Sequence, residues 1–122
     1  MQTISTSRQL VKEAWASAEK WQGNYAAAEK LLREAAAVEK GSALVLTCLG
    51  AVLSDQGKYK EAVDVLSEAA RLGSKDRNTY FNLGVALLNT ATHDEAMVAF
   101  SEAKQLKADG ASWEAYFDPQ AQ

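Results

Sequence analysis

Three segments of the chain repeat at a constant spacing. They begin at Asn24, Lys58 and Thr92, so successive copies lie 34 residues apart in the 122-residue sequence. Each copy has an alanine and, one helical turn later, a large apolar residue. These two columns are Ala28, Ala62 and Ala96, followed by Leu32, Leu66 and Phe100. A period of about 20 to 50 residues indicates an array of small units that bury their apolar faces against one another.

The composition favours helix in every unit. The only proline is Pro119, and the sequence before it is rich in alanine, leucine, glutamate and lysine, which are good helix formers. We predict seven helices, the last ending at Asp118-Pro119 because the residue before proline disfavours helix. Their predicted bounds are 8–21, 25–38, 43–55, 59–71, 77–89, 93–106 and about 111–117.

Small residues recur where the two helices of a hairpin must cross. Gly50 would face Ala62 in the second unit, and Gly84 would face Ala96 in the third. Such residues let two backbones approach, while the large residues of the neighbouring column fill the space beside them. Gly57 precedes the second helix of its unit and can adopt the left-handed conformation that ends the first.

This pattern resembles the tetratricopeptide repeat, and the second unit matches that family's motif over most of its length. The matching residues are Leu46, Leu49, Gly50, Leu53, Gly57, Tyr59, Ala62, Leu66 and Ala69. The resemblance implies an all-α fold, a right-handed α-solenoid of three antiparallel helix hairpins with a short seventh helix. It also implies one structural domain with these parts: an N-terminal lead over 1–8, repeats over 9–42, 43–76 and 77–110, and a capping helix and tail over 111–122.

The sequence also departs from the family motif. The proline that usually closes each repeat is replaced by Lys40, Ser74 and Ala108, and the third unit has Ala91 and His93 where glycine and tyrosine are usual.

The sequence contains no pattern typical of an enzyme or of a metal or cofactor site. One histidine, His93, and one cysteine, Cys48, cannot supply a catalytic triad or a metal ligand set, and the glycines are spread along the repeats. The net charge of −3, with acidic and basic residues interleaved, argues against a nucleic-acid partner. We therefore predict a non-enzyme without cofactor or metal.

No secretory signal or run of apolar residues long enough to span a bilayer is visible in the sequence. We expect a chain that does not insert into membranes, with a cytoplasmic location as the default.

The resemblance implies that the first helices of the units line a concave groove that binds a peptide or helix of a partner protein. The sequence does not identify this partner. Carried over from the family, the groove positions are Leu44, Thr47, Cys48, Ala51, Asp55, Asn78, Phe81, Asn82, Val85 and Asn89. Some of these positions have a second interpretation, burial under the array's own helices, which for Leu44 and Val85 is equally favoured.

One specialised groove of the family is excluded by the residues present. Members that bind chaperones hold a peptide's terminal carboxylate with lysine, arginine and asparagine side chains. The corresponding positions are Glu13, Ser17, Cys48, Asn78 and Asn82, none of which is a cation. A carboxylate clamp is therefore not expected.

Three aromatic residues near the C-terminus fall on one face of the predicted seventh helix. Trp113, Tyr116 and Phe117 have the i, i+3, i+4 spacing of such a face. They would cap the third repeat or, as the alternative, form a contact between copies. The alternative to partner binding is therefore a self-assembly module, with a homo-oligomer built through the array ends or this helix.

Overall fold

A computed structural model describes residues 9, 11–14, 16, 25–91 and 93–112. Its regular elements in these ranges are all helices, as predicted. The described residues 9, 11–14 and 16 are helical and belong to α1. The other helices are α2 (Tyr25–Val38), α3 (Ala43–Asp55), α4 (Tyr59–Arg71), α5 (Arg77–Leu88) and α6 (His93–Ala103). The predicted bounds of α2, α3 and α4 are confirmed, and α5 ends one residue earlier than predicted.

The turns between helices follow from local side-chain chemistry. Ser42 caps α3 by accepting a hydrogen bond from the backbone N–H of Val45, and Asp76 caps α5 by accepting one from Asn78. Gly57, between α3 and α4, has a φ of 80° and so takes the predicted left-handed conformation. These caps fix where successive hairpins begin.

The end of α6 differs from the prediction. The helix stops at Ala103 and not at residue 106. The backbone N–H groups of Gln105 and Leu106 donate to the carbonyls three residues earlier, which tightens the chain into a turn. The carbonyl of Lys107 then accepts a hydrogen bond of 3.0 Å from the N–H of Arg77, which draws the chain away from the helix axis.

Both complete hairpins cross closely at the predicted glycines, but the nearest side chain is the large residue one turn after the alanine predicted to face each glycine. A β-carbon placed on Gly50 would overlap the side chain of Leu66, and one on Gly84 would lie 2.6 Å from the ring of Phe100. The two pairs occupy the same columns of successive repeats. The repeat therefore encodes a packing geometry as well as a spacing.

Adjacent units are joined by a chain of buried hydroxyl groups. Thr47 on α3 and Thr79 on α5 share a hydrogen bond, and Thr79 also shares one of 2.7 Å with Ser74. The hydroxyl of Tyr80 donates to the carbonyl of Ser74 at 2.9 Å. These contacts set the first helices of the second and third repeats side by side.

None of the helices in the described part of the chain is long and apolar enough to cross a bilayer. Two large apolar side chains on α6 remain in contact with solvent: Val98 is 72% exposed and Met97 is 43% exposed.

Candidate functional site

The candidate site is the first-helix face, which we define as the side of α3 and α5 that carries Thr47, Cys48, Ala51, Asn78, Asn82 and Val85. The hydrogen bond between Thr47 and Thr79 holds the two helices together. Because the repeats are in register, residues from the same columns of two units lie on one continuous surface.

The predicted groove residues have three different environments. Thr47, Cys48, Ala51, Asn82 and Val85 are each 0% exposed, and Asn78 is nearly so. Half-buried are Leu44, Asp55 and Phe81, whereas Asn89 is exposed. Thus the centre of the first-helix face is closed to solvent, and its margins at the two helix ends are accessible.

The two margins offer different chemistry. Leu44 lies near the start of α3 beside a shallow cleft, which is also lined by Asp76 and Lys107. At the other end, the Asn89 amide donates to the carbonyl of Val85 at 2.8 Å and keeps its own carbonyl oxygen as an acceptor. An apolar group could therefore dock at one margin and a backbone N–H at the other.

Phe81 contributes to the site as part of a cluster with Phe100 and Arg77. Its ring centroid lies 5.6 Å from that of Phe100 at an interplanar angle of 58°, and the guanidinium of Arg77 sits 4.8 Å above the Phe81 ring. Such aromatic and cation–π contacts hold the ring in one orientation. Phe81 therefore serves both the packing of the third hairpin and the surface of the face.

The residues after α6 return to the first-helix face. The Asn78 amide donates to the hydroxyl of Ser112 at 3.1 Å, and the Asp76 carboxylate accepts the backbone N–H of Asp109 at 3.0 Å. The Cys48 thiol lies 3.8 Å from the carbonyl oxygen of Ala111, which is the long contact expected of a sulfur donor. The segment formed by residues 107–112 thus crosses the start of α5 and reaches α3.

This segment was not predicted as part of the site. The dipeptide Asp109-Gly110 is a turn signal that could have shown where the chain bends after α6. The sequence did not indicate which surface of the array residues 107–112 would contact. The predicted contact residues Trp113, Tyr116 and Phe117 lie outside the described residues.

The described residues contain no group of three or more His, Cys, Asp or Glu side chains that could hold a metal ion. His93 is exposed at the first position of α6, and Cys48 is buried.

Comparison with known proteins identifies one family. A family model described as the tetratricopeptide repeat matches residues 13–77 and, in a second overlapping match, residues 48–111. Together the two matches span most of the chain. A search of curated proteins found no match.

Proposed function

Because the chain belongs to the tetratricopeptide repeat family, whose repeats generally mediate protein–protein interaction, we propose that it is a non-catalytic module that binds a peptide or helix of a partner protein. The proposed binding surface is the concave groove of the family, here the first-helix face with its two margins. The observation that carries the proposal is the alignment of α3 and α5 by the Thr47–Thr79 hydrogen bond, which supports a continuous surface across two repeats.

The chemistry of this surface favours a largely apolar ligand. Its centre, which is closed to solvent, contains Ala51, Val85 and the Cys48 thiol, and its accessible margins carry Leu44 and the Asn89 amide. A ligand helix or strand would bury apolar side chains against Leu44, while the amide would bond its backbone. The net charge of −3 gives no strong preference for the sign of the ligand's charge.

The experiment is capture of peptides from a random display library by the immobilised full-length chain. Leu44→Glu and Asn89→Lys place charges at the two accessible margins, so they should reduce capture of the enriched peptides by about tenfold or more without unfolding the chain. Glu34→Lys is the control, because Glu34 is exposed on α2, a second helix. Equal capture by all three variants would contradict the proposal.

A second candidate function is self-assembly. It is favoured by the exposed apolar side chains of Val98 and Met97 on α6, the last helix among the described residues. An exposed apolar patch marks a contact surface when it is large enough. Under this alternative, copies of the chain would associate through the end of the array.

A further inference from the structure

The shallow cleft beside Leu44 is lined by two lysines that have no acidic partner. Lys75 precedes α5 and Lys107 follows α6, and both line the cleft. The N–H of Arg77 donates to the carbonyl of Lys107 at 3.0 Å, which holds the two lysine-bearing turns together. Both lysines are exposed, and neither takes part in an ion pair within the described ranges.

The two carboxylates that line the same cleft bond to the backbone. One oxygen of Asp76 accepts the N–H groups of Asn78 and Asp109, and the other is buried without a hydrogen-bond partner among the described residues. The Asp109 carboxylate accepts the N–H of Ala111 at 2.8 Å. Backbone N–H groups stabilise a carboxylate charge without a cation. Because Asp76 and Asp109 are half-buried, the exposed charges of the cleft are the two ammonium groups.

The boundary between the first two repeats has no such pair of cations. The residues 34 positions before Lys75 and Lys107 are Gly41 and Gly73. These glycines have φ values of 83° and 87°, which the turns of that boundary require. The two lysines are therefore a property of the cleft between the second and third repeats and not of the repeat itself.

Leu44 gives the charged cleft an apolar wall. It is half-buried near the start of α3, and the methylene groups of the lysines add to the apolar surface beside it. The cleft has a volume of about 300 Å³, at the lower end of the range of about 300–1,000 Å³ for ligand pockets. It therefore has room for one or two side chains and not for a whole helix.

We propose that this cleft selects partner peptides in which an aspartate or glutamate lies next to a large apolar residue. The carboxylate pairs with Lys75 and Lys107, and the apolar side chain packs on Leu44. This inference rests on the proposed function, and it names the ligand chemistry that the net charge of −3 leaves open. The two cations lie on turns, away from the first-helix positions where chaperone-binding members of the family hold a carboxylate.

Peptides enriched from a random display library by the full-length chain reveal this selectivity. We expect acidic residues beside large apolar ones in the peptides that the wild type enriches. Lys75→Glu/Lys107→Glu should enrich basic residues in their place, because the variant reverses the charge of the cleft. Both lysines are exposed, so the helix content measured by circular dichroism should be unchanged.

Calorimetry with one enriched peptide measures the contribution of the ion pairs. Lys75→Gln/Lys107→Gln should weaken binding by about two- to tenfold, as expected for two exposed ion pairs. Replacing the peptide's acidic residue by its amide should have the same effect on the wild type and no further effect on the double variant, since both changes remove one interaction. The control Lys30→Gln/Lys60→Gln removes exposed lysines of α2 and α4 and should bind as the wild type does.

Three results would overturn the assignment of the cleft. If the double variant binds as tightly as the control, or if the enriched peptides carry no acidic residue, the cleft does not select a carboxylate and the proposed function stands. If the wild type enriches no peptide, both fail. Lysine-dependent binding to phosphatidylserine vesicles, without an acidic preference among peptides, would assign the cleft to a membrane surface instead.

Discussion

The closest approach of α3 to α4 depends on the hydrogen atom that Gly50 carries in place of a side chain. A methyl group there would overlap Leu66, which is fully buried and has little room to move. We predict that Gly50→Ala destabilises the protein by about 1–3 kcal/mol through overpacking, although alanine is the better helix former. Urea denaturation followed by circular dichroism measures this change.

Shortening the side chain of Leu66 tests whether overpacking causes the loss of stability in Gly50→Ala. Leu66→Ala leaves a cavity beside Gly50, so in this background Gly50→Ala should be neutral or should stabilise by about 0.5–1 kcal/mol. The sign of the alanine effect thus reverses between the two backgrounds. If Gly50→Ala lowers the free energy of unfolding equally in the presence of Leu66 and of Ala at that position, α3 and α4 do not pack through Gly50 and Leu66.

Residues in the repeat columns were predictable because each has an equivalent one period away. The close crossings at Gly50 and Gly84 were expected from the alignment, although the side chains nearest to them are those of Leu66 and Phe100, which were expected to lie beside the crossing. The contacts of Asp109 and Ser112 were not predictable in this way. The equivalent residues of the preceding unit, Lys75 and Asn78, have side chains of a different kind. Whether the predicted groove residues bind a partner stays a prediction.

At the scale of helices, Glu29 ties α2 to the turn between α3 and α4. Its carboxylate accepts hydrogen bonds from Gln56 at 2.8 Å and Lys58 at 3.1 Å, and from Arg33 on its own helix at 2.7 Å. Partial burial raises the pKa of Glu29, but the bonds from Gln56, Arg33 and Lys58 outweigh it and lower the pKa from 4.5 to about 2.

The lowered pKa of Glu29 makes its contribution to the free energy of unfolding depend on pH. The ionised carboxylate is favoured in the folded state, so its contribution is complete above pH 4.5 and is lost as the pH falls towards about 2. Because Arg33 and Lys58 are about half exposed (48% and 46%), we expect Glu29→Gln to cost only about 1 kcal/mol at pH 7. The difference from the wild type should shrink between pH 4.5 and pH 3 in urea denaturation.

Glu34→Gln is the matched control, with the same change of charge on an exposed side chain of α2. It should alter the free energy of unfolding by less than about 0.5 kcal/mol. A Glu29→Gln effect that is absent at pH 7, or unchanged at pH 3, would show that the three bonds do not contribute to stability.

The helices themselves were largely predictable from the sequence, whereas the path after α6 was not. Apolar periodicity, a composition rich in helix formers and the glycine at the turn predicted the elements, because these signals are local. The turn after Ala103 depends on the bond between Lys107 and Arg77, which are thirty residues apart in sequence. Such a contact between distant residues has no local signal, so the continuation of α6 to residue 106 was wrong.

For the whole molecule, the exposed side chains of α6 bear on its state of association. Val98 and Met97 alone form a small patch, well below the roughly 1,200 Å² that a stable interface buries. We therefore predict a mass near 13.2 kDa in light scattering across a hundredfold range of concentration. A dimer mass that Val98→Glu abolishes would instead support the self-assembly function.

The buried hydrogen bonds among Thr47, Thr79 and Ser74 affect which of the similar units pack against each other. Apolar seams of repeats resemble one another, so a hairpin can dock on the wrong neighbour with little loss. At the boundary between the first two units, the equivalent positions of Thr47 and Thr79 are Glu13 and Val45. A third hairpin that packed on the wrong neighbour would leave its buried hydroxyls without hydrogen-bond partners, at a cost of about 1–3 kcal/mol each. The hydrogen bond between Thr47 and Thr79 thus favours docking of the third hairpin on its correct neighbour.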